Sequence, residues 1–266
     1  MDKMNLSIFV SMFLTDTHTH LYAEEFDADR ESQIYEAIEN GIEKFYMPNI
    51  DSNSAGKMLS VQKRFPENCF SMMGLHPCSV KENYLDELKI VKKYFDRNEF
   101  VAVGEIGIDL YWDKTFFEFQ KKAFILQCEW AVDRNLPVVI HTRNSFKETW
   151  DSVSSLKKIP RGIFHCFGGT LEDAKKVIDL GFYLGVGGVL TFKNSGLDKV
   201  IEQIDCKHIV LETDAPYLAP NPYRGKRNNP VFLNLIAEKL ARIKNMSLSD
   251  VAEITSANAF AIFHNS

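Results

Sequence analysis

Five of the seven histidines in the 266-residue chain stand at the ends of short apolar runs, where their side chains can be gathered into one site. His18 and His20 are two apart in Asp16-Thr-His-Thr-His-Leu, so an extended backbone turns both imidazoles to one face and lets them grip one ion. Asp16 shares that alternation and reads as a buried orienting carboxylate. Glu105 follows Val101-Ala-Val-Gly, with glycines on either side that allow close backbone approach, and can bridge two ions. Nearby Asp109 is explained equally well as a loop-capping residue. His141 ends Val138-Val-Ile and His165 ends Ile163-Phe. Either alone could be a satisfied core histidine, but two in consecutive units favour a second metal position. Imidazoles suit Zn, Mn, Fe or Ni, and the carboxylates also accept Mg, so the ligand types leave the metal open.

Asp214, in Ile209-Val-Leu-Glu-Thr-Asp, is placed to act as a ligand and as the proton acceptor for water whose pKa divalent metals have lowered towards about 7. Glu212 lies on the same face, deeper, as a structural or orienting group. His76, in Gly74-Leu-His-Pro, is a histidine the metal set does not need, and Arg224, Lys226 and Arg227 follow the last run closely. Cations beside a dimetal site fit an anionic substrate, since guanidinium groups hold phosphate oxygens with forked hydrogen bonds. Arg143 and Lys193 are further candidates for the same groove.

These residues converge only if the runs that precede them are parallel strands. Eight β-branched or apolar runs, near residues 12, 44, 69, 101, 137, 162, 182 and 208, are separated by stretches with room for a loop and a helix. Phe116 to Asn135 carries a helical apolar stripe. Thr170-Leu-Glu-Asp has the form of a capping box, Gly181 suits a helix end, and Ser247 opens a last helix over Val251 to Phe263. Eight strand–helix units in this length predict an α/β chain folded as a (β/α)8 TIM barrel, with the site at the C-terminal ends of the strands. An open doubly wound sheet is the rival.

The balance of the chain is that of an ordinary globular protein, 36 acidic against 31 basic residues, which argues against non-specific coating of nucleic acid. Five scattered cysteines give neither a zinc knuckle nor a disulfide framework and fit a reducing, cytoplasmic setting. Apolar stretches are far too short to span a membrane. With no linker dividing the chain, the expected organisation is an extension over residues 1–11 and one domain over 12–266, without an obligate protein partner and as a monomer.

The ordered set Asp16-Thr-His-Thr-His-Leu, Gly74-Leu-His-Pro, Gly104-Glu-Ile-Gly-Ile-Asp, Val139-Ile-His-Thr-Arg, Phe164-His-Cys-Phe, Gly185-Val-Gly-Gly-Val-Leu-Thr-Phe-Lys and Glu212-Thr-Asp-Ala-Pro through Arg224-Gly-Lys-Arg-Asn resembles the TatD family of metal-dependent deoxyribonucleases. The likeness runs from about Met12 to the C-terminus. It implies a TIM-barrel hydrolase of the amidohydrolase superfamily with two divalent ions (Mg, Mn or Zn), acting on DNA, often as a 3′–5′ exonuclease. Carried over by position, His18, His20, Glu105 and Asp214 match ligands of one metal, and Glu105, His141 and His165 those of the second. His76 and Arg227 match positions near the scissile phosphate. The chain departs from the pattern at Ile108, where Leu is commoner, and at Asn144, where Asp is expected; family members often begin near Met12. Two other readings stand beside this one: an amide, lactone or ester hydrolase, whose branches often bridge their metals with a modified lysine where this chain has Glu105, and a non-enzymatic metal or nucleic-acid binder.

Overall fold

In the computed structural model, which describes residues 13–264, every one of the eight apolar runs is a strand. They are β1 (Leu14–Asp16), β2 (Ile42–Pro48), β3 (Cys69–Met72), β4 (Val103–Asp109), β5 (Val138–Arg143), β6 (Gly162–Phe164), β7 (Tyr183–Val186) and β8 (Ile209–Leu211). All pairings are parallel, in two ladders running β1 to β3 and β4 to β8. Backbone hydrogen bonds outside the ladders close both seams. Val101 N donates to Ser71 O (3.2 Å) and Met73 N to Ala102 O (3.1 Å) on one side; Thr17 N donates to Leu211 O (3.0 Å) on the other. A doubly wound sheet has free edges where these bonds stand, so the closed (β/α)8 barrel replaces the rival. The expected extension over residues 1–11 lies outside the described residues.

Helices α1 (Arg30–Glu39), α2 (Ala55–Arg64), α3 (Tyr84–Arg97), α4 (Phe117–Asp133), α5 (Phe146–Ser154), α6 (Leu171–Asp179), α7 (Leu197–Glu202) and α8 (Leu233–Lys244) alternate with the strands. The capping box of α6 forms with both bonds: Asp173 N donates to Thr170 Oγ1 (3.2 Å) and Thr170 N to Asp173 Oδ2 (3.0 Å). Gly181 follows α6 at φ +83°, a left-handed conformation open to glycine. Helix α9 (Leu248–His264) is additional to the eight units.

Strand alternation divides the apolar residues into two sets. Val103, Ile106, Ile108, Val138, Ile140, Phe164, Ile209 and Leu211 belong to the shell between barrel and helices. Tyr46, Met72, Ala102, Val139, Ile163 and Val210 point inward and pack with Ala259, Ile262 and Phe263 of α9. Helix α9 thus plugs the N-terminal end of the barrel. Phe263 stacks on Tyr46 (ring centroids 3.8 Å), and Arg161 Nε holds the α9 backbone at Ile262 O (3.0 Å). Two residues above this floor, the inward positions are taken by His141 on β5 and by His165 and Glu212 just past the ends of β6 and β8. The apolar layer therefore sets the height of the polar one. No helix among the described residues is long and apolar enough to cross a membrane.

Candidate metal centre

Glu105 owes its position to an irregularity in β4. Strict alternation from Val103, which faces the helices, would turn Glu105 outward as well. The β4–β5 register slips between Gly104 and Ile106, so Ile106 returns to the helix side and Glu105 faces into the barrel. There it is buried at 2% exposure and meets five imidazoles. Its Oε2 lies 3.1 Å from His18 Nε2 and 3.8 Å from His20 Nε2. Its Oε1 lies 2.8 Å from His141 Nδ1, 3.1 Å from His165 Nε2 and 3.3 Å from His76 Nε2. Asp214 Oδ1 completes the first group, 3.4 Å from His20 Nε2 and 3.7 Å from His18 Nε2.

The outer nitrogens of these rings decide what the inner ones can do. Tyr22 has one hydroxyl proton and gives it to Pro48 O (2.5 Å), so at His20 Nδ1 (2.9 Å) it must accept. His20 therefore carries its proton on Nδ1 and turns an Nε2 lone pair towards Glu105 and Asp214. His141 Nε2 faces Asp109 Oδ2 (2.9 Å), and His165 Nδ1 faces Glu212 Oε1 (3.1 Å), which also accepts from Cys166 N (2.6 Å). Both rings donate outward to carboxylates and, when neutral, point lone pairs inward at Glu105. His18 is fully buried, and neither of its nitrogens has a hydrogen-bond partner among the described residues.

Lone pairs converging on carboxylate oxygens repel unless positive charge lies between them. Protons supply it in part: burial disfavours the His165 cation, but Glu105 and Glu212 outweigh that and hold its pKa well above the usual histidine range. Burial likewise works against ionised Glu105, yet the charges of His165, His76 and His18 hold it well below the usual carboxylate range. Divalent cations fit this donor set better than protons, because they also satisfy His18.

Among the described residues, three groupings of donors are close enough to hold an ion: His18, His20 and Glu105; His76, Glu105 and His141; and His18, His165 and Glu212. The third does not make one ion site. The His18 and His165 rings stack 3.6 Å apart within 13° of parallel, so no single ion can lie in both ring planes. In the second, Cys78 N donates to His76 Nδ1 (3.0 Å), which leaves the proton of neutral His76 on Nε2 and makes it a donor rather than a ligand. What remains is one group at Glu105 Oε2 (His18, His20, Asp214) and one at Glu105 Oε1 (His141, His165).

Orienting groups complete the picture. Asp16 is buried and accepts from Thr213 N (2.9 Å), Thr213 Oγ1 (2.5 Å) and His18 N (3.3 Å), tying the end of β1 to that of β8. Burial pushes its carboxyl up to about 8, partly offset by the Thr213 bonds. Asp109, open to a capping reading from sequence, both caps the next loop and holds His141. Tyr22 was missed by residue-type reasoning, although its spacing from His20 repeats the two-residue step from His18 to His20.

Arg227 is not brought into this cluster. Its guanidinium forms a forked pair with Asp29 (2.9 and 2.6 Å), donates to Glu25 O (2.6 Å) and covers the Phe26 ring. Arg224 lies over Phe192 and Lys226 over Tyr223.

Comparison with known proteins agrees with this fold. Residues 15–264 match the model of the TatD related DNase family. A Bacillus subtilis protein, the uncharacterized metal-dependent hydrolase YabD, is 35% identical over 94% of this chain and 98% of its own. The Escherichia coli K12 uncharacterized metal-dependent hydrolase YcfH is 29% identical over 95% and 96%. Among solved structures, YjjV, a TatD homologue from Escherichia coli K12, superposes with TM-score 0.89 at 26% identity, covering 95% of this chain and 98% of that one. A phosphotriesterase homology protein from Escherichia coli, at 16% identity and TM-score 0.73 over 96% of this chain and all of that one, shares the fold. With its barrel closed, its histidines and carboxylates gathered at one end and its sequence matched throughout the described domain, the chain belongs to the TatD-related DNase family of metal-dependent hydrolases.

Proposed function

We propose that this protein is a deoxyribonuclease that cleaves DNA phosphodiester bonds with water, as a 3′–5′ exonuclease. The observation that carries the reading is the division of Glu105, one oxygen facing His18, His20 and Asp214 and the other facing His141 and His165, within a family described as DNases. These groups would hold two divalent ions, Mg, Mn or Zn, on either side of Glu105. Such ions supply Lewis acidity for a phosphoryl oxygen and make water acidic enough to attack near neutral pH.

The chain's own residues do the remaining work. Burial alone would raise the Asp214 pKa, but its contact with His20 and the charges of His165 and His18 hold it below the usual carboxylate range. Ionised Asp214 accepts the proton of the attacking water. His76 Nε2–H, fixed as a donor by Cys78, bonds a non-bridging phosphate oxygen. Arg227 meets the same phosphate by exchanging Asp29 for it; the two side chains are 35% and 32% exposed, so an arriving anion can compete. The setting is a cytoplasmic monomer with DNA as substrate.

Metal-stripped protein resupplied separately with Mg, Mn or Zn should shorten end-labelled single-stranded DNA stepwise, and Glu105→Ala and His141→Ala should abolish this. No cleavage by fully metallated protein would move the assignment to a small-molecule ester, lactone or amide hydrolase. Glu105, standing where those branches often carry a lysine, weighs against that second reading.

A further inference from the structure

The loop leaving β4 carries two large rings into solvent beside the metal centre. Trp112 is 70% exposed and Tyr111 50%. Their backbone is nevertheless fixed: Asp109 Oδ1 accepts from Tyr111 N (2.9 Å) and Trp112 N (3.2 Å) while Oδ2 of the same carboxylate holds His141. One side chain therefore sets both a candidate ligand and the exposed rings. The rings meet edge to face (centroids 4.9 Å, 85°). Arg143, two residues beyond His141 on β5, lays its guanidinium 3.9 Å from the Tyr111 ring centre and 5.3 Å from that of Trp112. Its backbone oxygen accepts from Leu110 N (2.9 Å), joining strand and loop. Arg143 is exposed and forms no ion pair among the described residues, whereas Arg227 is already neutralised by Asp29.

We propose that Trp112, Tyr111 and Arg143 form a platform on which an unpaired base of single-stranded DNA stacks, with Arg143 beside the adjoining phosphate. The inference rests on the nuclease reading and deepens it by naming the side chains that hold a base of the substrate. A π-face accepts any base, and a guanidinium held flat on an aromatic ring keeps its charge while losing little freedom on binding. Bases inside a duplex have both faces covered by their neighbours, so the platform selects single strands or frayed ends. Its anchoring to Asp109 places the stacked base next to the phosphate presented to Glu105 and His141.

The test uses the full-length, metal-loaded protein and a fluorescein-labelled phosphorothioate oligothymidylate, which resists cleavage, compared with the same backbone lacking bases. Anisotropy titrations of Trp112→Ala should show affinity for the oligothymidylate weakened about tenfold. The loss should shrink to below about twofold on the abasic strand, where the stacked partner is already missing. Trp112→Phe should restore most of the affinity, and metal content should be unchanged in both variants. Equal losses on the two strands, or no loss on either, would overturn the platform. Nucleotide release from unmodified DNA is measured in parallel. Base-dependent binding through Trp112 without any release would leave the platform standing and remove the nuclease assignment; release with base-independent binding would do the reverse.

Discussion

Tyr22 fixes which nitrogen of His20 faces the metal centre, because its only proton is committed to Pro48 O. Tyr22→Phe removes the acceptor for His20 Nδ1–H without changing ring packing, and Asp109→Asn weakens the corresponding partner of His141. Each change should lower divalent-ion affinity or turnover by about 10–100-fold, the usual cost of losing such an orienting group. Titration calorimetry with Mn, alongside metal content by mass spectrometry, reads the effect; affinity unchanged in both variants would refute the tautomer assignment. The histidines that gather around Glu105 were legible in the sequence because histidines at strand ends are few and conspicuous. Their partners were not, since a tyrosine or loop aspartate has many ordinary explanations and only the folded geometry shows which nitrogen it meets. Arg227 shows what sequence could not show in the other direction: its loop position was legible, but its pairing with Asp29, 198 positions away, was not.

At the scale of elements, the strands could be read because apolar runs survive in any register, whereas β4 hid its decisive feature. The run around Glu105 has no clean alternation, and the slip that turns this side chain inward arises from pairing with β5. Strand β7, between β6 and β8, makes room for the site by another route. A Cβ on Gly185 would lie 2.4 Å from Glu212 Oε2 and 3.0 Å from His165 Cα. Gly185→Ala should therefore displace the Glu212–His165 pair, costing about 1–3 kcal/mol of stability and weakening metal binding on the Oε1 side of Glu105. Thermal unfolding and metal stoichiometry together test this; a variant with wild-type values for both contradicts the packing argument.

The loop after β8 is tied to the start of α1 by Arg227 and Asp29, which supplies a pH test. The Arg227 hydrogen bonds hold the Asp29 carboxyl below its usual range despite slight desolvation. A depressed carboxylate pKa contributes stability above the unfolded value, about 3.9, and that contribution disappears as pH falls through the lower folded value. The pair is partly exposed, so about 0.2–1 kcal/mol is at stake. Asp29→Asn should lower Tm by about 1–3 °C at pH 7, with the gap closing below about pH 4. A gap that stays constant into acid would show that the pair contributes through packing alone.

Across the whole molecule, the fold balances an apolar floor against a polar mouth. Helix α9 closes the floor with Ile262 and Phe263, a role no periodicity could reveal because it depends on where the barrel axis ends. The mouth concentrates Glu105, Asp214, Asp109, Glu212 and Asp16 within a few contacts of buried imidazoles. Such a cluster is under-compensated when only protons bind, so cation binding should stabilise the entire barrel. An ion at 100 times its Kd contributes about 2.7 kcal/mol, or about 5–11 °C in Tm for a domain near this size. Chelation should lower Tm by that order, and Mn or Zn should restore it. The same titration on Glu105→Gln separates a specific centre from general ionic effects. Glu105 is the carboxylate common to both donor groups, so the variant should lose most of the metal-induced shift while its chelated form unfolds close to the chelated wild type. An undiminished shift in Glu105→Gln would mean that the ions bind without the carboxylate that joins the two groups, and the two-ion arrangement around it would have to be abandoned.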